Sequence, residues 1–333
     1  MSGRLGGLIG SDVGIIPVLI ALVVLIIYFQ VRSSVFLSAD NVTNLFIQAV
    51  GFILLGMAEV WLLLLGEIDL SLGWVAGMSG SIAAIYTNVK FGWPWWLAFL
   101  VALAFCTAIG ALWGVLVVRL KLPSIIVTLA GSFIVEGLLL YILDHVFNGG
   151  GAPVQSNVLS NLTNGDLTPT FTWIFVIAVI VISATVLIVR ERARRKAALA
   201  VAPFYRIVVK LAALSVMGVV LALLFNSNRG TFIPIEGMPF AVPLIIGIVA
   251  IYSFILSRTK FGRYMYAIGG TSLYGGRGKM IYPLVGGIIV AVIYNGLVLT
   301  QVSAPMEFVV IGVVLLGAVT VDSLARRSQS LLK

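Results

Sequence analysis

Long apolar runs alternate with short polar segments along the whole chain. A hydrocarbon core of about 30 Å needs about 20 apolar residues in a helix. On that basis the pattern predicts helical spans at Gly14–Val31, Val42–Leu65, Leu70–Asn88, Pro94–Val118, Pro123–Asp144, Phe171–Val189, Arg206–Phe225, Phe240–Ser257, Ile281–Thr300 and Met306–Asp322. The strict apolar–polar alternation of a membrane β-barrel is missing from the sequence. We therefore expect an all-α fold, a polytopic transmembrane helical bundle of about ten spans.

Composition and charge support this expectation and orient the bundle. The chain is 61% hydrophobic and 10% charged, whereas soluble domains carry about 25% charged residues. With the N-terminus cytoplasmic, all but Arg32, Lys90 and Arg229 of the 21 Lys and Arg residues lie inside, as the positive-inside rule requires. Both termini are then cytoplasmic. Basic loops next to membrane lipid explain the net charge of +9 without a nucleic-acid partner.

Two connections between the predicted spans differ sharply in charge. The segment Arg190–Lys196 is strongly basic and is predicted to be a cytoplasmic hairpin loop. The segment His145–Thr170 contains no Lys or Arg and is rich in Asn, Gly, Ser and Thr, which predicts an external loop.

Residues for covalent chemistry are scarce. One His and one Cys leave no basis for a metal site, a Cys/His nucleophile or a disulfide framework. The stretch Gly275–Lys279 ends in Gly-Lys, but it lacks the first Gly and the final Ser or Thr of a phosphate-binding loop. We therefore expect no catalytic residue, no metal, no bound cofactor and no ATP site in this chain, which is not predicted to be an enzyme.

Charged side chains within apolar runs are the best candidates for function, because they are costly at membrane depth. Two acids fall inside predicted spans. Two more interrupt an apolar run at Gly66–Gly73, where a helix start favours negative charge. A structural role is equally open, since Asp69 can cap the third helix and an amide such as Asn295 can hydrogen-bond between helices. The candidate pathway residues are Glu59, Glu67, Asp69, Ser71, Glu136 and Asn295.

Four segments carry a resemblance to a known family: Gly66–Gly73, Lys121–Leu129, Arg258–Gly270 and Thr271–Gly278. They resemble the permease subunit of bacterial monosaccharide ABC importers, and the sixth and seventh spans are typical of the xylose-type branch. The resemblance implies a homodimer in the bacterial inner membrane, a cytoplasmic ATP-binding subunit that uses the ATP, and a periplasmic sugar-binding protein. It also implies an ATPase-facing loop that contains Arg258, Lys260, Arg263, Tyr264, Gly269 and Gly270.

The sequence departs from that family at one place. In the family, Ala-Ile-Gly-Gly continues into Asn-Pro-Glu-Ala-Ala-Arg, a coupling helix that presses on the ATPase, and two further crossings precede a second Gly-Gly before Thr-Ser-Leu. Here Gly269-Gly270 runs directly into Thr271. We expect one permease domain over residues 1–333 with a segment excised near 270/271, and we expect coupling to the ATPase to suffer from that loss.

The resemblance therefore implies the membrane subunit of an ATP-driven, binding-protein-dependent importer of xylose or a related sugar. Three alternatives stay open. An ion-coupled secondary carrier would use Glu59, Asp69 and Glu136 as a proton relay. A membrane-embedded enzyme acting on lipid-linked sugars would need clustered acids outside, where Asp166 is the single acid of the Asn-rich loop. A coupling-defective, truncated permease would insert into the membrane without transporting.

Overall fold

The computed structural model describes residues 15–88, 91–148, 151–199, 203–230, 232–269, 280–303, 305–314 and 316. Within these residues the regular secondary structure is helical, apart from an isolated antiparallel bridge between Asp166 and Pro239. The helices are α1 (Ile15–Arg32), α2 (Ala39–Leu65), α3 (Leu72–Thr87), α4 (Trp95–Val118), α5 (Ser124–Phe147), α6 (Asn157–Asn164), α7 (Pro169–Lys196), α8 (Phe204–Phe225), α9 (Ala241–Arg258), α10 (Lys260–Gly269), α11 (Ile281–Leu299) and α12 (Pro305–Val314). The all-α prediction is confirmed.

Seven of these helices are long and apolar enough to cross a membrane, namely α2, α4, α5, α7, α8, α9 and α11. The helix found at the predicted span Leu70–Asn88 is shorter than expected. It corresponds to α3, whose 16 residues extend about 24 Å at 1.5 Å per residue, less than a hydrocarbon core of about 30 Å. The predicted span Met306–Asp322 is described as a helix as far as Val314, and Asp322 lies outside the described residues.

The prediction of a hairpin loop at Arg190–Lys196 is wrong, because α7 continues through this segment to Lys196. Glu, Arg, Ala and Lys are strong helix formers. Arg194, Arg195 and Lys196 also occupy the last turn, where cations interact favourably with the negative end of the helix dipole. The basic segment is therefore the end of a helix and not a turn.

Close contact between α2 and α11 forms the centre of the bundle. A Cβ atom on Gly287 of α11 would lie 2.7 Å from the backbone nitrogen of Ile53 in α2. A Cβ atom on Gly296 would collide with the ring of Phe29 in α1. The two glycines therefore let α11 approach its neighbours closely. The buried side chains Met57 and Leu64 of α2 belong to the same core cluster.

A compact polar structure closes one end of α7, α8 and α9. We call residues 157–167, 226–230 and 232–240 the cap. The Arg229 guanidinium is 4% exposed and donates to Asp166 Oδ1 at 3.0 Å, to the Gly237 carbonyl at 3.0 Å and to the Phe225 carbonyl. A backbone bond joins the first of these segments to the third, from Leu167 N–H to the Met238 oxygen at 2.7 Å. Burial raises the pKa of Asp166, although the Arg229 charge opposes that rise.

Candidate functional site

The candidate site is the break between α2 and α3. Helix α2 ends at Leu65, and Gly66 follows with a φ of 87°, a left-handed conformation that only glycine adopts without strain. The N–H groups of Gly66 and Glu67 return to the carbonyls of Leu63 and Leu62. This closes α2 with a left-handed C-terminal turn. The chain then runs as non-helical backbone until α3 begins at Leu72.

Two of the candidate acids hold the backbone of this break. The Asp69 N–H donates to Glu59 Oε1 at 3.3 Å, which joins the break to the preceding helix. Asp69 Oδ1 accepts from the N–H of Ser71 at 2.7 Å and from its hydroxyl at 2.6 Å. The residue that precedes α3 is Ser71, whose side chain does not cap the helix. The interpretation of Asp69 as the helix cap is therefore wrong, since its carboxylate closes a local turn one step earlier.

Helix α5 holds the same break from another side. The Leu70 N–H donates to Thr128 Oγ1 at 3.1 Å, and the Ile68 N–H reaches Ser124 Oγ at 3.5 Å. The single hydroxyl proton of Thr128 can bond the Ser124 carbonyl at 2.8 Å or the Ile68 carbonyl at 3.3 Å. Backbone groups freed from helical bonding inside a membrane need such partners. The α5 hydroxyls supply them.

A tryptophan from α4 completes the cluster. Trp113 Nε1–H donates to Ser71 Oγ at 3.2 Å, and both side chains are buried. The break is thus held by three helices, through Glu59 of α2, Trp113 of α4 and Thr128 of α5.

One oxygen in the cluster lacks a partner. Glu59 Oε2 is buried and makes no hydrogen bond to the described part of the chain. A buried polar atom without a partner costs about 1–3 kcal/mol, so it marks a place where the structure is not optimised for stability. Glu67 joins the break through its backbone N–H.

Polar residues on α5 extend the site away from the break. The polar residues recur at a spacing of four, at Ser124, Thr128, Ser132 and Glu136. This spacing places them in one row that turns gradually around the helix axis. The stripe is about 18 Å long at 1.5 Å per residue. Ser132 is buried and donates to the Leu129 carbonyl at 2.7 Å, and Glu136 is half-buried.

The structure separates Asn295 from the other candidate pathway residues. Asn295 of α11 exchanges two amide hydrogen bonds with Asn41 of α2, at 2.8 and 3.0 Å, and a third with Gln48 at 3.2 Å. Asn41 precedes Glu59 by 18 positions, or about 27 Å along α2. This geometry is typical of interhelical hydrogen bonding.

The residues predicted to face an ATPase fall at the junction of α9 and α10, where Lys260–Gly269 forms a helix. Their contact with an ATPase stays a prediction. The side chains of Arg258, Lys260, Arg263 and Tyr264 are exposed. Met265 is buried in the core beside them. Helix α10 therefore buries one side and presents a basic side outward. Gly269 ends α10, and Gly270 lies outside the described residues.

Sequence reasoning missed three hydrogen-bonding residues of the break, Trp113, Ser124 and Thr128. The four-residue spacing of hydroxyls ahead of Glu136 was a usable signal for the α5 pair, since such spacing places side chains on one face. Trp113 gave no comparable signal, because a tryptophan inside an apolar run resembles a lipid-facing or core residue.

Comparison with known proteins gives concordant results. A family model described as branched-chain amino acid transport system, permease component, matches residues 41–273. The xylose transport system permease protein of Escherichia coli (strain K12) is 28% identical over 389 aligned positions, with 98% of this chain and 96% of that protein covered. The corresponding protein of Haemophilus influenzae is 30% identical over 300 positions, with 85% and 74% covered. The D-allose transport system permease protein of Escherichia coli is 26% identical, with 91% and 89% covered. No solved structure matches this chain significantly.

The length of one alignment bears on the missing segment. It spans 389 positions, more than the 333 residues of this chain, so the relative has residues at positions where this chain has none. The alignment length does not locate those positions. The junction Gly270–Thr271 also lies outside the described residues, so the excision near 270/271 stays a prediction.

Proposed function

This chain belongs to the permease family of bacterial monosaccharide ABC importers, xylose-type, and from that premise we propose that it is the membrane subunit of an ATP-driven, binding-protein-dependent importer of xylose or a related sugar. It is a multi-pass protein of the bacterial inner membrane. The names of its relatives cover xylose, allose and ribose. The proposed substrate class is therefore a neutral, polyhydroxylated monosaccharide. We also propose that the chain crosses the membrane about ten times, with both termini cytoplasmic.

The observation that carries the proposal is the break between α2 and α3. Non-helical backbone at membrane depth is tolerated where it is buried in protein or lines a cavity. Here it brings Glu59, Asp69 and Ser71 together, with one carboxylate oxygen of Glu59 lacking a partner. Carboxylates accept hydrogen bonds, and sugar hydroxyls donate them. The break can therefore exchange internal bonds for bonds to a passing sugar.

Glu136 supports a homodimeric pathway. This half-buried acid lies near the middle of α5, on a helix that also exposes Phe133 and Leu140. A charged group at the centre of a bilayer costs about 2.5–3.5 kcal/mol when it faces lipid. Contact of this part of α5 with a water-filled pathway or with a second copy of the chain removes that cost. We therefore place the sugar pathway between two copies, beside the α5 stripe.

The proposed partners are a cytoplasmic ATP-binding subunit and a periplasmic sugar-binding protein. The exposed basic side of α10, with Lys260 and Arg263, is the proposed contact for the ATP-binding subunit. This chain performs no covalent chemistry in the proposal and binds no cofactor. The energy comes from ATP hydrolysed by the partner.

Co-purification from native membranes tests the proposal. The tagged chain is extracted in mild detergent, its partners are identified by mass spectrometry, and ATPase activity is measured with xylose-loaded binding protein. We expect a bound ATPase whose activity rises with the loaded binding protein. The double substitution Lys260→Glu and Arg263→Glu is expected to release the ATPase. Lys210→Glu, at an exposed position of α8, serves as the matched control.

Two results would contradict the proposal. Xylose uptake that survives ATP depletion but stops with an uncoupler would indicate an ion-coupled secondary carrier. A well-folded chain that retains no ATPase would indicate a coupling-defective, truncated permease. The mass of a peptide that spans Tyr266–Arg277 decides whether the junction at 270/271 exists in the cellular protein.

A further inference from the structure

Trp113 is a buried tryptophan whose polar atom serves the break and nothing else in the described chain. It lies five residues before the end of α4, about 8 Å from that end at 1.5 Å per residue. Its indole N–H donates to Ser71 Oγ at 3.2 Å. A tryptophan N–H is a donor only, so the Ser71 oxygen must act as the acceptor in this bond.

The direction of this bond fixes the next one. Ser71 has one hydroxyl proton, and that proton goes to Asp69 Oδ1 at 2.6 Å. Asp69 Oδ1 also accepts from the Ser71 N–H at 2.7 Å. Both internal bonds fall on the same carboxylate oxygen, which leaves Asp69 Oδ2 without a bond to the described residues. That oxygen is available to a hydroxyl donor.

Gly131 of α5 sets the position of the indole. A Cβ atom at residue 131 would lie 2.5 Å from Trp113 Cζ2, 2.8 Å from Cε2 and 3.2 Å from Cη2. These distances are too short for a methyl group, so even alanine would displace the ring. The chain from Gly131 through Trp113 and Ser71 to Asp69 therefore links α5 and α4 to the carboxylate.

We propose that Trp113 is a positioning residue which, through Ser71, holds the Asp69 carboxylate in the orientation that receives a sugar hydroxyl. This inference rests on the proposed function of the break as part of a sugar pathway. Trp113 itself does not contact the sugar. Its substitution therefore changes how well the break handles sugar, and it leaves ATP hydrolysis by the partner intact.

The test measures xylose molecules transported per ATP hydrolysed, in proteoliposomes with the ATPase and loaded binding protein. Trp113→Phe removes the N–H and shortens the ring. We expect the ratio to fall about fivefold, the factor that corresponds to one lost hydrogen bond, with near-normal stimulation of the ATPase. Ser71→Ala is expected to match this loss, and Ser71→Thr, which keeps a hydroxyl, is expected to restore most of the ratio.

Gly131→Ala provides a second, independent variant. It is expected to lower the same ratio by pushing the indole away from Ser71. Trp113→Phe deletes Cζ2 and Cη2, so the double variant is expected to be no worse than Trp113→Phe alone. Gly137→Ala is the matched control on α5 and Gly114→Ala the one on α4, because a Cβ atom at either position meets nothing within 4 Å.

Hydrogen–deuterium exchange over residues 66–72 gives a readout that does not need transport. We expect Trp113→Phe to speed exchange of these amides about fivefold, and Gly137→Ala to leave it unchanged. If the wild-type chain shows no ATP-dependent uptake, the proposed function fails while the exchange measurement still judges the positioning role. Unchanged exchange, or an unchanged transport ratio in an active wild-type background, would overturn the role of Trp113.

Discussion

The break and the cap are two polar structures at the ends of apolar helices, and they are built in opposite ways. In the cap, a buried guanidinium makes a charge-assisted bond to Asp166 at 3.0 Å and bonds to two carbonyls. In the break, Asp69 and Ser71 bond each other at 2.6–2.7 Å, but the bonds that join the break to Glu59, Ser124 and Thr128 of the surrounding helices are 3.1–3.5 Å long. One oxygen of Glu59 makes no bond to the described residues.

We infer from this difference that the cap is a structural cluster and the break a functional one. The cap has a planar cation that satisfies three acceptors at once, a geometry that fixes loops in one arrangement. The break has longer bonds to the surrounding helices and one buried acceptor without a partner among the described residues, so its groups can exchange partners at low cost. We therefore expect substitutions in the cap to reduce stability, and substitutions in the break to reduce transport per folded molecule.

The largest effect is expected from Arg229→Lys in the cap. A lysine cannot bond Asp166 and two carbonyls in one plane, and each buried carbonyl left without its donor costs about 1–3 kcal/mol. We expect the free energy of unfolding in detergent to fall by about 3 kcal/mol, with uptake per folded molecule unchanged. Arg192→Lys, at an exposed position of α7, is the control. A stable variant with reduced uptake would reverse the roles assigned to cap and break.

A smaller effect on stability and a large one on transport are expected from Asp69→Asn. The amide oxygen can still accept from Ser71, so the free energy of unfolding should change by about 1 kcal/mol or less. Loss of the charge is expected to reduce sugar uptake at least tenfold, or about 1.4 kcal/mol. Asp144→Asn, whose side chain is 73% exposed, is the control. Full uptake by Asp69→Asn would show that the Asp69 carboxylate has no role in the sugar pathway.

Thr128→Val tests how α5 holds the break, because it removes a hydroxyl and changes little of the side-chain shape. Leu70 N–H then loses its acceptor, at a cost of about 1 kcal/mol. We expect uptake and stability to fall together by small amounts, as measured by proteoliposome assay and thermal unfolding. Thr107→Val removes a hydroxyl that bonds within its own helix and should have no effect. Equal losses in the two variants would mean that Thr128 does not hold the break.

The smallest effect concerns pH. Burial raises the pKa of Asp166 above its ordinary value of 3.8, so the folded state binds its proton more readily than the unfolded state does. The resulting contribution to stability is complete below pH 3.8 and is lost as the pH rises through the raised pKa. We expect the wild type to gain slightly in melting temperature, relative to Asp166→Asn, as the pH falls from 7 towards 4. A relative loss on acidification would contradict this direction.

The sequence predicted the helices of the bundle well, because a long apolar run has one stable form in lipid. It failed at Arg190–Lys196, where a run of charge was interpreted as a loop, because helix propensity continues α7 through that segment. The acids Glu67 and Asp69 within Gly66–Gly73 indicated an interruption between two helices. Trp113 could not be foreseen, because its role depends on the packing of α4 against α5 at Gly131.

The most direct test of the central claim is uptake of labelled xylose by proteoliposomes that contain the permease, its ATPase and its binding protein. Wild type, Asp69→Asn and Arg229→Lys are compared at equal amounts of folded protein, with and without ATP. We predict uptake that requires ATP in the wild type, persists per folded molecule in Arg229→Lys and falls at least tenfold in Asp69→Asn. Uptake without ATP, or equal uptake by Asp69→Asn and the wild type, would contradict it.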